Sequence, residues 1–343
     1  MSSPVYLAVC CLDSNVTPPD FINIGRSILT DKNTVSSVSI TFSVLALLVV
    51  ILLVIQRKHR KNNDCETVVP VPTTSANWIV ISSTLTTCGI LLRATIWRAG
   101  FTPNSKPDGA DAANSLCIVL SVVVQYFSLC ISFCYLVYGI EVFTGESRHG
   151  WYKTLDIILG WIIPAAMCGI GAWAVYFPKL TQCYVMSWEG RLVAYVTLLS
   201  PVFMVLILCP VLLYKAAVSV KRSVRRQFGC YTRVERQIVS RVRIKYLLLM
   251  LVYVVCLLPN ILGSVMVNAG DSSVRGPLEV LWSFTATLNS VHCFLVMLVI
   301  HGWPFSCRRP YRIAETDSEY WYSQDVGINR NMTSSGESEP LLS

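Results

Sequence analysis

The sequence predicts an all-α membrane protein: a seven-transmembrane helix bundle with an extracytoplasmic N-terminus and a cytosolic C-terminus. Three observations predict it: scarce charge, seven apolar runs of membrane-spanning length, and an uneven distribution of basic residues. Only 14% of the 343 residues are charged and 53% are apolar, with a mean hydropathy of +0.54. Because soluble domains carry about 25% charged residues, this composition excludes a water-soluble enzyme and a disordered chain.

The seven apolar runs each reach the roughly 20 residues that cross a hydrocarbon layer of about 30 Å. They are Val35 to Ile55, Ser75 to Trp97, Ser115 to Val142, Thr154 to Tyr176, Leu192 to Tyr214, Ile244 to Val267 and Leu278 to His301. The predicted domains follow from these runs. Residues 1–34 form an extracytoplasmic segment, 35–302 form the bundle, and 303–343 form a cytosolic tail whose polar composition predicts that it is mostly disordered.

The basic residues predict the orientation. With the N-terminus outside, 20 of the 28 Lys and Arg residues fall in cytosolic segments and seven fall in extracytoplasmic ones. Basic residues stay preferentially on the cytosolic side. Ten of the 20 lie between Lys215 and Lys245, a segment whose two ends are expected to extend the fifth and sixth helices. The net charge of +8 therefore indicates topology and attraction to an anionic lipid bilayer or a cytosolic partner, and not nucleic acid.

The extracytoplasmic segments carry two candidate covalent sites. Asn15 begins an Asn-Val-Thr acceptor for N-glycosylation. Cys117 lies at the outer end of the third run and Cys183 lies in the loop after the fourth, on the side where disulfides persist. We expect a bridge that holds this loop over the bundle; the alternative is two free thiols.

The cytosolic side carries candidate modification and sorting sites. Cys307 follows the last run beside two arginines, a position suited to palmitoylation. The tail ends in an acidic dileucine sequence of the kind that clathrin adaptors bind, formed by Glu337, Leu341 and Leu342. The serines of the same tail are candidate kinase and arrestin sites.

The sixth and seventh runs resemble rhodopsin-like receptors only in part. Cys256-Leu257-Leu258-Pro259 matches the receptor motif Cys-Trp-x-Pro with Leu in place of Trp. A proline inside a helix removes a backbone hydrogen bond and kinks the helix, so we expect a hinge at Cys256 and Pro259. At the end of the third run, a sequence that ends in Glu141 replaces the Asp/Glu-Arg-Tyr triplet of these receptors. In the seventh run, a sequence that begins at Asn289 replaces their Asn-Pro-x-x-Tyr motif.

Polar residues recur at helical spacing in the third and seventh runs. The third run carries Ser121, Gln125, Ser128, Ser132 and Tyr135, and the seventh carries Trp282, Thr285, Asn289 and His292. Each set lies on one helical face. Because polar side chains are costly in lipid, these faces are expected to line a central cavity. The alternative is that they only join helices by hydrogen bonds worth about 0.6 kcal/mol each.

Arg93 is a basic residue within the second run, about 9 Å below its outer end at 1.5 Å per residue. Its side chain either extends to the lipid headgroups or faces the cavity, where it pairs with Glu279 or binds a ligand carboxylate. Trp97 and Trp282 then form aromatic walls. The predicted ligand-binding residues are Arg93, Trp97, Gln125, Ser128, Glu279, Trp282, Asn289 and His292.

Several motifs together resemble one receptor family. They include Arg93-Ala94-Thr95-Ile96-Trp97, Phe133-Cys134-Tyr135, Tyr195-Val196-Thr197, Tyr231-Thr232-x-x-Glu235-Arg236 and Gly302-Trp303. In this order they are similar to the ocular albinism type 1 receptor family. The resemblance implies a seven-helix G-protein-coupled receptor of melanosome, lysosome or late-endosome membranes. A second pool of the protein in the plasma membrane is compatible with this location. It implies a heterotrimeric G protein as partner and tyrosine, L-DOPA, dopamine or a related aromatic amino acid or catechol as ligand.

Other classes of protein have less support in the sequence. A small-molecule transporter or a non-signalling organelle-trafficking protein is the alternative, but no internal repeat joins the two halves of the chain. No metal-ligand cluster or nucleophile motif appears. We therefore expect no enzymatic activity, no cofactor and no metal.

Overall fold

The structure, a computed structural model, describes residues 32–62, 73–99, 110–144, 150–176, 188–228, 233–269 and 275–301. Several predicted sites lie outside these residues. They are the glycosylation site Asn15, the cysteines Cys183 and Cys307, and the sorting residues Glu337, Leu341 and Leu342. The described part is helical throughout, apart from one turn residue after the second helix.

The described residues form seven helices, one for each apolar run. Six are α1 (Lys32–Asn62), α2 (Thr73–Arg98), α3 (Ala110–Thr144), α5 (Trp188–Phe228), α6 (Arg233–Ala269) and α7 (Arg275–His301). The remaining one, α4, runs as an α-helix over Gly150–Ile157, passes through a π-helical turn at Ile158–Ile162 and continues over Ile163–Tyr176. Helices α5 and α6 extend well beyond their apolar runs into the basic segment that separates them, as the sequence predicts.

The helices have membrane-spanning character. Five meet the length and hydropathy of a membrane span: Thr34–Gln56, Thr74–Arg98, Ser115–Glu141, Lys153–Ala174 and Ile244–Leu262. Leu199–Lys215 and Phe284–Ile300 are shorter apolar stretches within α5 and α7. The prediction of an all-helical membrane bundle is thereby confirmed, while its orientation remains a prediction.

The helices pack as a closed ring. Consecutive helices are neighbours around the bundle, and α7 also packs against α1, which closes the ring. Helix α3 contacts α2, α4 and α5, and every residue from 128 to 139 is buried. Helix α1 instead exposes leucine and isoleucine side chains on its outer face, including Leu45, Leu48 and Leu52. An apolar exterior around a buried centre is the arrangement that a lipid environment favours.

Small residues and aromatic pairs set the distances between helices. A Cβ atom on Gly89 of α2 would lie 2.8 Å from Cγ2 of Val124 in α3, so these two helices touch at a point that only glycine fits. Gly160, inside the π-helical turn of α4, is buried. Beside it, Trp161 makes an edge-to-face contact with Trp78 of α2, with ring centres 6.4 Å apart. These contacts hold α2, α3 and α4 close together.

Candidate ligand-binding site

The centre of the bundle is rich in polar side chains. Those of α3, α6 and α7 that are almost fully buried are Ser121, Gln125, Ser128, Ser132, Asn260, Thr285, Asn289, Ser290 and His292. The polar faces predicted for α3 and α7 therefore point into the protein and not into lipid. Eight of these nine side chains carry no charge, and the imidazole of His292 can also be neutral. Among the described residues, no Asp, Glu, Lys or Arg side chain is buried.

Most of the hydroxyl groups in this core bond to their own helix. Ser128 donates to the carbonyl of Val124 at 2.7 Å, and Thr285 donates to the carbonyl of Leu281 at 2.6 Å. Ser290 donates to Ala286 at 2.8 Å. Such bonds to the preceding turn satisfy a buried hydroxyl without any second helix. Ser128, a predicted ligand contact, thus already has a partner for its proton.

Two asparagines join α6 to α7. The amide of Asn260 donates to Oδ1 of Asn289 at 3.1 Å, and the amide of Asn289 donates back to Oδ1 of Asn260 at 3.2 Å. Asn260 also donates to the carbonyl of Cys256 at 2.9 Å. This reciprocal pair lies directly after Pro259, the predicted hinge residue, which is inside α6. Asn289, predicted as a ligand contact, is therefore engaged in a helix–helix link.

Four buried side chains of α3, α6 and α7 have polar atoms without a hydrogen-bond partner among the described residues. They are both amide atoms of Gln125, the hydroxyls of Tyr135 and Tyr253, and both ring nitrogens of His292. The four residues are exposed by 2% or less. A buried polar atom without a partner costs about 1 to 3 kcal/mol, and most such atoms in folded proteins bond to protein or ordered water. These atoms mark where the core can accept a small polar molecule.

Tyr135, Tyr253 and His292 bring α3, α6 and α7 together at one level. The ring centres of Tyr135 and Tyr253 are 4.7 Å apart, and those of Tyr135 and His292 are 6.5 Å apart. Tyr253 is fully buried. Sequence reasoning missed Tyr253 and Asn260 as site residues, although Tyr253, Cys256 and Asn260 share one face of α6 at helical spacing.

Arg93 and Trp97 form a second polar feature, one turn apart on α2. The Arg93 guanidinium carbon lies 5.3 Å from the centre of the Trp97 ring, a cation–π distance. Both side chains are half-buried, and Trp97 packs against the cluster that contains Cys117 and Ile118 near the N-terminal end of α3. Glu279 and Trp282 belong to α7, but their side chains lie outside the described part, so their pairing with Arg93 stays a prediction.

Cys117 is disulfide-bonded. Because Cys183 lies outside the described residues, its pairing with Cys117 also stays a prediction. Cys256 is buried as a free thiol and, with Pro259, remains the predicted hinge.

The other end of α3 carries a set of contacts that sequence reasoning missed. Ser75 of α2 donates a hydrogen bond to the carboxylate of Glu141. Tyr138 of α3 packs edge to face on Tyr246 of α6, with ring centres 6.2 Å apart. The ammonium of Lys245 donates to the carbonyl of Ile300 near the end of α7 at 2.6 Å. These contacts join α2, α3, α6 and α7 at one end of the bundle.

These features define a class of protein: a helical membrane bundle in which the seven described helices enclose a polar core whose described side chains include no buried Asp, Glu, Lys or Arg. The chain matches the ocular albinism type 1 protein family over residues 1–336, and it belongs to that family, which confirms the resemblance seen in the motifs. It is similar to human G-protein coupled receptor 143, with 26% identity over 236 residues. The match covers 63% of this chain and 57% of the human protein. The name of that relative is a receptor's and not an enzyme's, in agreement with the prediction that the chain is not an enzyme.

Proposed function

We propose that the chain is a G-protein-coupled receptor of a melanosome, lysosome or late-endosome membrane. It senses tyrosine, L-DOPA, dopamine or a related small aromatic ligand and signals to a heterotrimeric G protein. The observation that carries this proposal is the polar core enclosed by α3, α6 and α7, which holds buried hydrogen-bonding atoms without partners. Membership of the ocular albinism type 1 family and the receptor name of the human relative support it.

The outer part of the proposed site contains the cationic and aromatic groups. The Arg93 guanidinium over the Trp97 ring offers a planar cation beside an aromatic face. An arginine bonds a carboxylate through two parallel hydrogen bonds, and Trp97 provides apolar area for an aromatic ring. An aromatic amino acid thus finds a partner for its carboxylate at this level and uncharged partners deeper in the core.

The end of the bundle at Glu141 and Lys245 is the proposed G-protein surface. With the predicted orientation it faces the cytosol, next to the basic segment from Lys215 to Lys245. The Tyr138–Tyr246 and Lys245–Ile300 contacts hold α6 against α3 and α7 there. A ligand changes this arrangement only if it binds the two states with different affinity.

Replacing Arg93 is expected to weaken the response to ligands that carry a carboxylate. In the purified receptor with a heterotrimeric G protein, we expect Arg93→Ala to raise the concentration of tyrosine or L-DOPA needed for half-maximal nucleotide exchange at least tenfold, since a hydrogen bond to a charged group contributes about 1.5 to 3 kcal/mol. Dopamine lacks the carboxylate, so its response should change much less.

Arg98→Ala is the matched control for this experiment. Arg98 ends α2, is exposed and donates to Ser37 of α1, so its loss should leave the exchange response unchanged. Equal losses for dopamine and L-DOPA in Arg93→Ala would remove Arg93 from the carboxylate site. Ligand flux across a vesicle membrane without any exchange would favour a transporter over a receptor.

The proposed organelle location rests on the dileucine sequence of the tail. Replacing Leu341 and Leu342 together by alanine is expected to move most of the protein from lysosomal or melanosomal membranes to the cell surface, because clathrin adaptors then lose the paired leucines. Surface labelling of intact cells measures the shift, and Met332→Ala, another apolar change in the same tail, is the control. An unchanged steady-state distribution would count against this signal.

A further inference from the structure

The unpartnered polar atoms of the core are confined to particular side chains. Around them, Ser128, Thr285 and Ser290 bond to their own helices, and Asn260 and Asn289 bond to each other. Loose packing would leave partners missing at random, whereas the neighbouring side chains Tyr135, Tyr253 and His292 lack partners together among the described residues, while these amides and hydroxyls around them are satisfied. The missing partners at Tyr135 and His292 therefore point to a molecule that occupies this part of the core.

Tyr135 and His292 are close enough to share one small molecule. Their ring centres are 6.5 Å apart, a separation that leaves room for one oxygen atom to bond to both the Tyr135 hydroxyl and a ring nitrogen of His292. Tyr253 also packs against Tyr135, with ring centres 4.7 Å apart. Gln125 lies ten residues before Tyr135 on α3, about 15 Å away along the helix, and belongs to an outer level of the core.

The surroundings decide the charge of this molecule. Among the described residues, no buried Asp, Glu, Lys or Arg is present, and no group of three metal-binding side chains occurs. An ammonium or carboxylate placed there would lose its hydration without gaining an opposite charge, which is strongly unfavourable. A neutral hydroxyl, which both donates and accepts, matches a phenol and an imidazole.

We propose that Tyr135 and His292 form a deep binding site for an uncharged hydroxyl, supplied either by ordered water or by the hydroxyl on the ring of the ligand. The second source rests on the proposed receptor function and deepens it. It places the hydroxyl of the ligand ring at this depth, with the amino-acid end directed toward the outer half of the core. A hydroxyl from either source links α3 to α7.

The sign of a stability change tests whether the site is occupied. We expect Tyr135→Phe, which removes only the hydroxyl, to lower the melting temperature of the purified full-length receptor in lipid nanodiscs by about 2 to 4 °C. If the site were empty, the same change would remove an unsatisfied group and leave the melting temperature equal or higher. Tyr214→Phe, which alters a tyrosine that is 69% exposed, is the matched control and should have no effect.

A double-mutant cycle tests whether the two residues share one oxygen. His292→Phe combined with Tyr135→Phe should lower the melting temperature by less than the sum of the single changes, because the second substitution removes a bond that the first has already weakened. Additive losses would overturn the shared site. Should His292→Phe not fold, the sign of the Tyr135→Phe change still decides whether the site is occupied.

Ligand pairs identify the source of the hydroxyl. Tyrosine and phenylalanine differ only in the ring hydroxyl, and we expect the wild-type receptor to respond to tyrosine at about tenfold lower concentration, a preference that Tyr135→Phe abolishes. A lowered melting temperature without this preference assigns the site to ordered water. No response to any ligand, together with a lowered melting temperature, would reject the receptor function but keep the water site. An unchanged or raised melting temperature together with no preference would overturn the proposal.

Discussion

Gly89→Leu is expected to prevent recovery of the folded bundle. Even a single Cβ atom at this position would lie 2.8 Å from Cγ2 of Val124, and the branched side chain of valine has little freedom to turn away inside a helix. Gly89→Ala should lower the free energy of unfolding by about 1 to 3 kcal/mol, and leucine by more, since α2 and α3 must then separate. Thermal melting and the yield of monodisperse protein in nanodiscs measure both effects.

Two further variants make the Gly89 experiment specific. Gly169→Ala is the control, because a Cβ atom there meets nothing within 4 Å; it should leave stability unchanged or slightly raised, as alanine favours a helix. Val124→Ala should restore part of the stability of Gly89→Ala by making room on α3. Equal losses in Gly89→Ala and Gly169→Ala would show that close packing of α2 on α3 is not the cause.

Breaking the reciprocal asparagine pair is the second large expected effect. Asn260→Leu leaves both amide bonds to Asn289 unmade, and a buried amide without a partner costs about 1 to 3 kcal/mol. Asn289→Leu should cost a similar amount. The double variant should lose less than the sum, with a coupling energy near 1 kcal/mol, because neither amide is then left alone.

The cycle is measured by reversible unfolding of the receptor in mixed micelles. Ser290→Ala is the control, because its hydroxyl bonds only to Ala286 within α7 in the described part of the chain. Its effect should be well below that of either asparagine. Additive effects of the two asparagine substitutions would show that the pair contributes no more than isolated polar groups do.

The number and order of the helices were predictable from the sequence because the thickness of a bilayer fixes the length of an apolar run. The inward direction of the polar faces on α3 and α7 was equally predictable, since polar groups avoid lipid. Both depend on one helix at a time. The basic ends of α5 and α6 also continue as helices, as expected.

Contacts between helices were less predictable because they depend on how each helix is rotated against its neighbour. Asn289 carried a signal for a polar role, but nothing in the spacing of α7 shows that its amide meets Asn260 on α6. Gly89 gave no signal, since hydropathy does not report the separation of two helices. Lys245 was counted as part of a basic surface, whereas its ammonium bonds to a backbone carbonyl of α7.

Two hydrogen-bonded links between α6 and α7 among the described residues have a mechanical consequence. One is the asparagine pair, and the other is the bond from Lys245 to Ile300; they lie 15 residues apart on α6, about 22 Å along the helix axis. Two links fix the angle between the helices, whereas one link leaves a pivot. If the Lys245 bond opens, a tilt of about 15° at Asn260 displaces the Lys245 end of α6 by about 6 Å. Loss of a single hydrogen bond can thus be converted into a movement wide enough to admit part of another protein.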